Sequence, residues 1–418
     1  MKAKKLISVC LLMLLISALT GCMSRVELKD LGIVSGLGID KLEDGYRVTA
    51  QILNPAAIAG DGGAQLPVYS FSAEGQSIHE AYNKLDHIGS AALFLSHLNV
   101  IVIDEAFAEA GFAPLLNFSL RHAEIRPDMT IVVAKEESAQ DILSVVSALD
   151  TIPAVQIDVS SMVASRTARL VSYNLYEVVD MVNMETINLV LNAVSIYHAD
   201  QENENGRDKQ NEQDDQGQND HQNEKDKDHE GSKINNIQDI TDPVQLRIEH
   251  LAVFNKDKLV GFMDTYEAQL YNLLMGESKR YAFVTKIEDD YYTSGRVTKS
   301  DVKIKTDLEN NEATITMNFD LMVIENTYPM DLTNPENLAA MSEYFKKQLE
   351  SDLTTFIKKV QTEWQTDIIG IGGKAYYHEN KIWKEKSGYW QELFPETTIN
   401  LEIELEIDSI GEIGNVTH

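Results

Sequence analysis

The sequence predicts an α+β protein of several domains, with mixed sheets packed against helices and a long amphipathic helix in the C-terminal domain. Three patterns carry that expectation. Between residues 98 and 149, compact apolar runs alternate with helically spaced ones in the order strand, helix, strand, helix. Farther on, Leu338, Met341, Phe345, Leu349, Leu353, Phe356, Val360 and Trp364 recur at three- and four-residue steps, the spacing of one helical face. Finally, Ile315, Met317, Phe319, Leu321 and Val323, and again Ile399, Leu401, Ile403, Leu405 and Ile407, alternate with polar residues as one-faced strands do.

In chain order, residues 1–22 come first. Lys2, Lys4 and Lys5 precede an uncharged apolar run over 6–19, which ends in Leu19-Thr20-Gly21-Cys22. A positive end, a short apolar segment and a small residue before the cut are the parts of a cleaved export signal. The apolar run is too short for a spanning helix of about 20 residues. Leu-Thr-Gly-Cys resembles the lipobox, which predicts cleavage between Gly21 and Cys22, an S-diacylglycerol on the Cys22 thiol and an acyl group on its new amino terminus. Cys10 leaves with the signal, so Cys22 becomes the sole cysteine and neither a disulfide nor thiol chemistry remains. Membrane lipid joined through Cys22 is the expected anchor.

A glycine-interrupted strand over 32–39, the turn Asp44-Gly45 and the alternating Tyr46, Val48, Ala50 and Ile52 predict a hairpin. Gly36 and Gly38 do not complete a Gly-x-Gly-x-x-Gly, because Lys41 takes the third place and a strand follows. A nucleotide loop must open a helix, so close strand packing is the better account. Residues 54–65 read as a loop and 76–88 as a helix. Strands over 98–103 and 129–134 follow, with helices at 106–122, kinked near Pro114, and at 138–149. Two more helical stretches, 158–171 and 175–182, lead to a strand at 189–197.

Composition then changes. From 200 to 232 there is no aliphatic or aromatic residue, and acids outnumber bases. Such a segment cannot offset the entropy of ordering, so it reads as an acidic disordered linker; its His221 and His229 are too isolated to form a metal site. A second hairpin is expected at 246–263, a helix at 265–274 with Tyr266, Leu270, Tyr271 and Leu274 inward, and the long helix from Asn334-Pro335-Glu336 onward. The divisions are then a removed signal (1–21), an N-terminal α+β region of one or two lobes (22–198), the linker (199–240) and a C-terminal α+β domain (241–418).

With 66 acids against 36 bases the net charge is −30. No basic patch interrupts it, which excludes a nucleic-acid partner. The search for chemistry is negative: catalytic residues none, metal ligands none, cofactors none. Gly-x-Ser-x-Gly does not occur, and Gly32-Ile-Val-Ser-Gly36 has one residue too many before the serine. His79-Glu80 lacks the second histidine of a zinc helix, His87 and His97 are ten apart, and His122, His250 and His378 each stand alone. Gly370-Ile-Gly-Gly373 reads as a helix stop. The outer row Glu402, Glu404, Glu406 and Asp408 reads as protection of a sheet edge.

One resemblance goes further than composition. The lipobox, Val26-Glu-Leu and Leu31-Gly-Ile-Val-Ser-Gly-Leu-Gly-Ile-Asp40 resemble the mature start of the spore germination Ger(x)C family. The likeness continues through His97-Leu-Asn-Val-Ile-Val-Ile103, Ala108-Glu-Ala-Gly111, Glu124-Ile-Arg126 and Ile131-Val-Val-Ala-Lys135. It resumes at Leu251-Ala-Val-Phe-Asn-Lys-Asp-Lys-Leu-Val-Gly261, Asp367-Ile-Ile-Gly370, Trp383-Lys384, Trp390 and Phe394-Pro395. The chain departs from the family at Met23-Ser24-Arg25, where a tryptophan and an aspartate are usual, and at Arg121-His122, where Arg-Asp is.

The resemblance implies the lipoprotein subunit of a nutrient germinant receptor, non-enzymatic, on the extracytoplasmic face of the inner spore membrane. Its implied partners are two integral-membrane subunits. The competing expectation is a solute-binding lipoprotein of an ABC transporter, which calls for two similar α/β lobes around a cleft. The segment 32–40 and the aromatics of 383–394 are the candidate docking surfaces, and internal packing explains both equally well.

Overall fold

The computed structural model describes residues 31–59, 66–86, 91–145, 151–165, 169–198, 244–277, 282–288 and 291–410. The signal, Cys22, the 199–240 segment, His87, His221 and His229 lie outside the described residues. Two sheets, one large and one small, share the work of the core.

The first sheet is mixed and has nine strands, in the order 68–75, 45–53, 31–42, 100–104, 130–134, 190–198, 244–255 and 258–263, with 92–94 beside the start of 31–42. At its centre is β1 (Leu31–Leu42), which turns through Glu43 and Asp44 into antiparallel β2 (Gly45–Leu53), as the Asp-Gly signal predicts. Gly45 has φ +102°, a conformation that disfavours any side chain at this turn. After Asn54 comes a single helical turn, α1 (Pro55–Ile58), within what reads as loop, because the proline fits the first turn of a helix. The edge strand β3 (Val68–Gly75) has no counterpart in the sequence reading, although Tyr69, Phe71 and Ala73 alternate with polar residues there. Next are α2 (Ile78–Leu85), capped by Ser77, and the short β4 (Ala92–Phe94), parallel to β1.

Parallel strands β5 (Val100–Asp104) and β6 (Thr130–Ala134) extend the sheet as the apolar runs predict. Between them lie two helices, not one kinked helix: α3 (Glu105–Ala110) and α4 (Ala113–Arg121). The break falls at Gly111, at φ +106°, while Pro114 sits harmlessly in the first turn of α4. The helix α5 (Ala139–Ile142) is only one turn of the stretch expected over 138–149, whose last residues lie outside the description. Pro153 starts α6 (Pro153–Ser165), so this helix begins ahead of the stretch expected over 158–171. Beyond α7 (Leu175–Asn183), held by an Asn174 and Glu177 capping box, β7 (Val190–His198) runs parallel to β6.

The hairpin β8 (Val244–Asn255) and β9 (Lys258–Met263) then completes this same sheet. The division at 199–240 therefore does not separate the two sheets. His198 and Val244 are direct partners in the β7–β8 ladder, so residues 199–243 are an insertion in a hairpin connection. Sequence alone could not show this, because the pairing of β8 across the insertion is a non-local choice.

Helices α2, α3, α4 and α7 cover one face of the sheet, and α5 and α6 cover the other. A buried polar knot holds the second layer in place. Gln51 accepts from Ser35 Oγ (3.0 Å) and from Ala154 N–H (3.2 Å), and donates to the Leu143 carbonyl (2.6 Å). All its polar atoms are paired, as burial requires.

The second sheet follows α8 (Thr265–Leu274), in the order β10 (Ala282–Glu288), β11 (Tyr291–Asp307), β12 (Glu312–Asn326) and β13 (Thr398–Ser409). Leu270, Tyr271 and Leu274 of α8 are buried as expected, but Tyr266 faces out and donates its hydroxyl to Asp352. Its position in the first turn of α8 places it at the rim of the contact, where the polar tip can reach a carboxylate. The long helix α9 (Pro335–Lys359) ends in a π turn over Val360–Trp364 and stops at Gln365, φ +51°. Met341, Phe345, Leu349, Leu353 and Phe356 are buried against Ile315, Met317, Phe319 and Leu321 of β12 and Ile403, Leu405 and Ile407 of β13. Strand β13 is the edge, parallel to β12, and its outer acids Glu402, Glu404, Glu406 and Asp408 are exposed. Three short helices, α10 (Ile371–His378), α11 (Asn380–Lys386) and α12 (Trp390–Leu393), close the second core.

Candidate functional site

Cys22 and Gly21 precede the described residues; the first of these, Leu31, already lies in the central strand. Of the two segments expected to dock partners, 32–40 is mostly buried, while 383–394 buries Trp383, Trp390 and Phe394 and leaves Tyr389 63% exposed. From Val34 to Asp40 every residue of β1 is buried. A Cβ on Gly36 would stand 2.8 Å from Ala154 Cβ and 2.9 Å from a Leu143 methyl, so the glycines let α5 and α6 approach the sheet. In the other segment Trp383, Trp390 and Phe394 are buried, with ring centroids 5.3 Å and 6.0 Å apart. Aromatics there fill the second core because the short helices bring them together, which their sequence spacing does not reveal.

Asp367 organises that region. Its carboxylate accepts N–H bonds from Gly370 (2.8 Å), Ile371 (3.2 Å) and Gly372 (2.7 Å) and from the Trp390 indole (3.1 Å). The glycine run thus opens α10 instead of stopping a helix: Gly370 adopts φ +81° and Asp367 supplies the anion that a helix N-terminus attracts. Burial pushes the Asp367 carboxyl above its ordinary value, and the four donors pull it back. With its donors taken up by an internal carboxylate, this N-terminus is already occupied.

An acidic pair lies at the carboxyl ends of β1 and β5. Asp104 accepts from Lys41 N–H and Phe107 N–H, capping α3. Asp40 accepts from Ala139 N–H at 2.6 Å, capping α5, while its Oδ2 has no partner. Burial raises Asp40 to about 6, with the neighbouring Asp104 adding to the rise. Both carboxylates are committed to helix ends.

The histidines are scattered. His79 is exposed beside Asn83, His97 packs near Phe94, and His122 lies edge-on to Tyr82 with its buried Nδ1 unpartnered. His250, half-buried on β8, is pushed below its ordinary value by burial and then by Lys135. His378 ends α10. Among the described residues, no three His, Cys, Asp or Glu side chains form a metal-holding group. No described helix is long and apolar enough to cross a membrane.

Two of the depressions among the described residues lie on the first sheet. A groove of about 840 Å³ runs between α2 and α4, lined by Tyr46, Ile78, Asn117, Phe118, Arg121 and His122 among others. That volume suits a small organic molecule. Arg121 donates to Asn117 at 2.8 Å, and among the described residues no carboxylate lies within ion-pair distance of it. An apolar floor with one unneutralised guanidinium can seat an apolar body carrying an anionic group. No sequence signal marks this groove, because Tyr46, Ile78 and Phe118 meet only through the packing of α2 and α4 on the sheet. The second depression, a polar cleft of about 350 Å³, lies at the starts of β5 and β6 between Ile33, Leu53, His97, Asn99, Arg126 and Asp158.

Comparison with known proteins follows the two halves of the chain. Residues 24–196 match the family described as spore germination protein N-terminal domain, and residues 249–411 match spore germination B3/GerAC like, C-terminal. The chain is 27% identical to spore germination protein KC of Bacillus subtilis (strain 168), over 99% of this chain and 97% of that one. It is 23% identical to spore germination protein B3 of the same organism, over 99% and 100%. A solved structure, the crystal structure of the GerBC protein, aligns with TM-score 0.49 and 18% identity, covering 89% of this chain and 97% of that one. With both family domains present in order on one chain, this protein belongs to the Ger(x)C spore germination family.

Proposed function

We propose that the chain is the lipid-anchored, non-enzymatic subunit of a nutrient germinant receptor. It is held at the extracytoplasmic face of the inner spore membrane and assembles there with two integral-membrane subunits. The observation that carries this reading is the near full-length likeness to spore germination proteins KC and B3, across both family domains. The Leu19-Thr-Gly-Cys22 lipobox supports the anchor. The ABC solute-binding alternative is disfavoured by the architecture: a nine-stranded mixed sheet and a four-stranded sheet are not two similar lobes.

Deletion of the gene is the direct test. Spores lacking the chain are expected to lose their response to at least one nutrient, and normal germination with every nutrient, with no paralogue compensating, would end the proposal. Replacement of Cys22 by alanine is expected to release the protein from membranes and weaken germination. Full retention and full response in that variant would remove the lipid from the mechanism.

A further inference from the structure

The end of the first sheet from which β1 starts carries an unusual share of exposed apolar side chains. Register places Leu31–Val34, Leu53, Val68, Tyr69 and the start of β5 at this one end. Ile58 of α1 is 50% exposed and Leu66 56%, and Tyr69 and Phe71 on edge strand β3 are also exposed. Asn54 ties these together, donating its side-chain N–H to the Leu66 carbonyl (3.0 Å) and to the Tyr69 hydroxyl (3.3 Å).

A second apolar stripe borders the same end from the opposite face. Helix α6 crosses it, with Ala154 against Gly36 of β1 and Asp158 accepting from Thr130 Oγ1 at the first residue of β6 (3.1 Å). Its inner face buries Ala154, Ile157 and Ser161; its outer face exposes Val159, Met162 (46%) and Val163 (52%). A helix apolar on both faces is not expected to leave one of them in water. The polar cleft is lined both by Leu53, next in the chain to Asn54, and by Asp158 of α6, so it borders the elements that carry the two patches.

Chain length says what covers them. Leu31 stands nine positions after Cys22, a span of nine residue steps. Fully extended, they reach about 30 Å at ~3.3–3.6 Å per residue, and less in any other conformation. A chain held by lipid at Cys22 therefore keeps this end of the first sheet within that distance of the bilayer.

We infer that this end is a membrane-contact surface. Ile58, Leu66 and Tyr69 of one patch, and Val159, Met162 and Val163 of the other, rest on the lipid surface and fix how the body stands on its tether. The contact needs no spanning helix, and exposed apolar residues inserted at the interface add to the lipid anchor. The inference rests on the anchor of the proposed function, and its test is built to separate the two.

The chain beginning at Cys22, with that thiol joined chemically to a maleimide-bearing lipid, is placed on vesicles of phosphatidylethanolamine and phosphatidylglycerol. Hydroxyl-radical footprinting with mass spectrometry then compares it with the untethered chain. Oxidation of Met162, Tyr69 and Phe71 is expected to fall several-fold on the vesicles, while the exposed Tyr377 and Tyr389 of the second core stay unchanged. In the variant carrying Ile58→Ser, Leu66→Ser and Val163→Ser, all at exposed positions, the protection is expected to weaken. Unchanged oxidation at Met162 and Tyr69, or equal protection at Tyr377, overturns the inference. So does protection that arises only in native spore membranes and never on bare vesicles, since a protein then covers the patch. Mass spectrometry of native Cys22 asks separately whether the lipid is there, so an unacylated Cys22 defeats the anchor without deciding the footprint.

Discussion

Asp40 shows how one carboxyl can set a pH dependence. Its value in the fold is about 6 against an ordinary 3.8, so over that interval the folded state holds a proton that the unfolded state has released. Stability is therefore expected to fall as pH rises from about 4 to about 6, by roughly 3 kcal/mol at ~1.4 kcal/mol per unit. Asp40→Asn keeps an acceptor for Ala139 N–H and cannot ionise. Its urea midpoint is expected to exceed that of the unaltered chain near neutral pH and to match it near pH 4; parallel profiles would refute this. Asp367 answers differently to mutation, because four donors depend on it. Asp367→Ala strands them in the core and is expected to cost about 3 kcal/mol or more in urea unfolding, with Asp367→Asn costing less.

Among the elements, those with strong periodicity are the ones that the sequence places well. Helix α9 and strands β12 and β13 follow their stripes because each buries one face and wets the other. Leu353→Ala on α9 is expected to cost about 2–5 kcal/mol, whereas Lys347→Ala on its wet face stays within about 0.5 kcal/mol, both read by denaturant unfolding. At Gly36, where α5 and α6 meet β1, a Gly36→Val change is expected to cost about 1–3 kcal/mol by overpacking. Strands β10 and β11 escape the sequence reading because serine, threonine, lysine and acids fill much of them. Pairing with neighbours, not their own pattern, makes them strands.

For the whole molecule, the pairing of β7 with β8 matters most. Because His198 and Val244 are ladder partners, the 199–243 segment can be replaced by a tight Asn-Gly turn without disturbing either sheet. The shortened chain is expected to fold, and to gain about 2 kcal/mol from the smaller loop-closure entropy. Loss of cooperative unfolding in calorimetry would show that the insertion is needed for the fold. Contacts between the sheets are also part of one core: Leu251, Val253 and Met263 of the first sheet belong to the cluster built on α9, and Gly261 leaves room for the Trp364 indole.

By itself the sequence determined the lipobox-like Leu19-Thr-Gly-Cys22, the acidic composition of residues 200–232, the β1–β2 hairpin, the amphipathic helix and the resemblance to the family. Those features are local: a motif, a composition or a periodicity spanning a few turns. Tertiary structure alone decided that β8 and β9 return to the first sheet and that Asp367 starts α10. It also decided that the tryptophans are internal, that a groove opens between α2 and α4, and that apolar side chains gather where β1 begins. Each of these depends on residues far apart in the chain meeting across a packed interface, and no local propensity encodes which partner a strand edge or helix face will take.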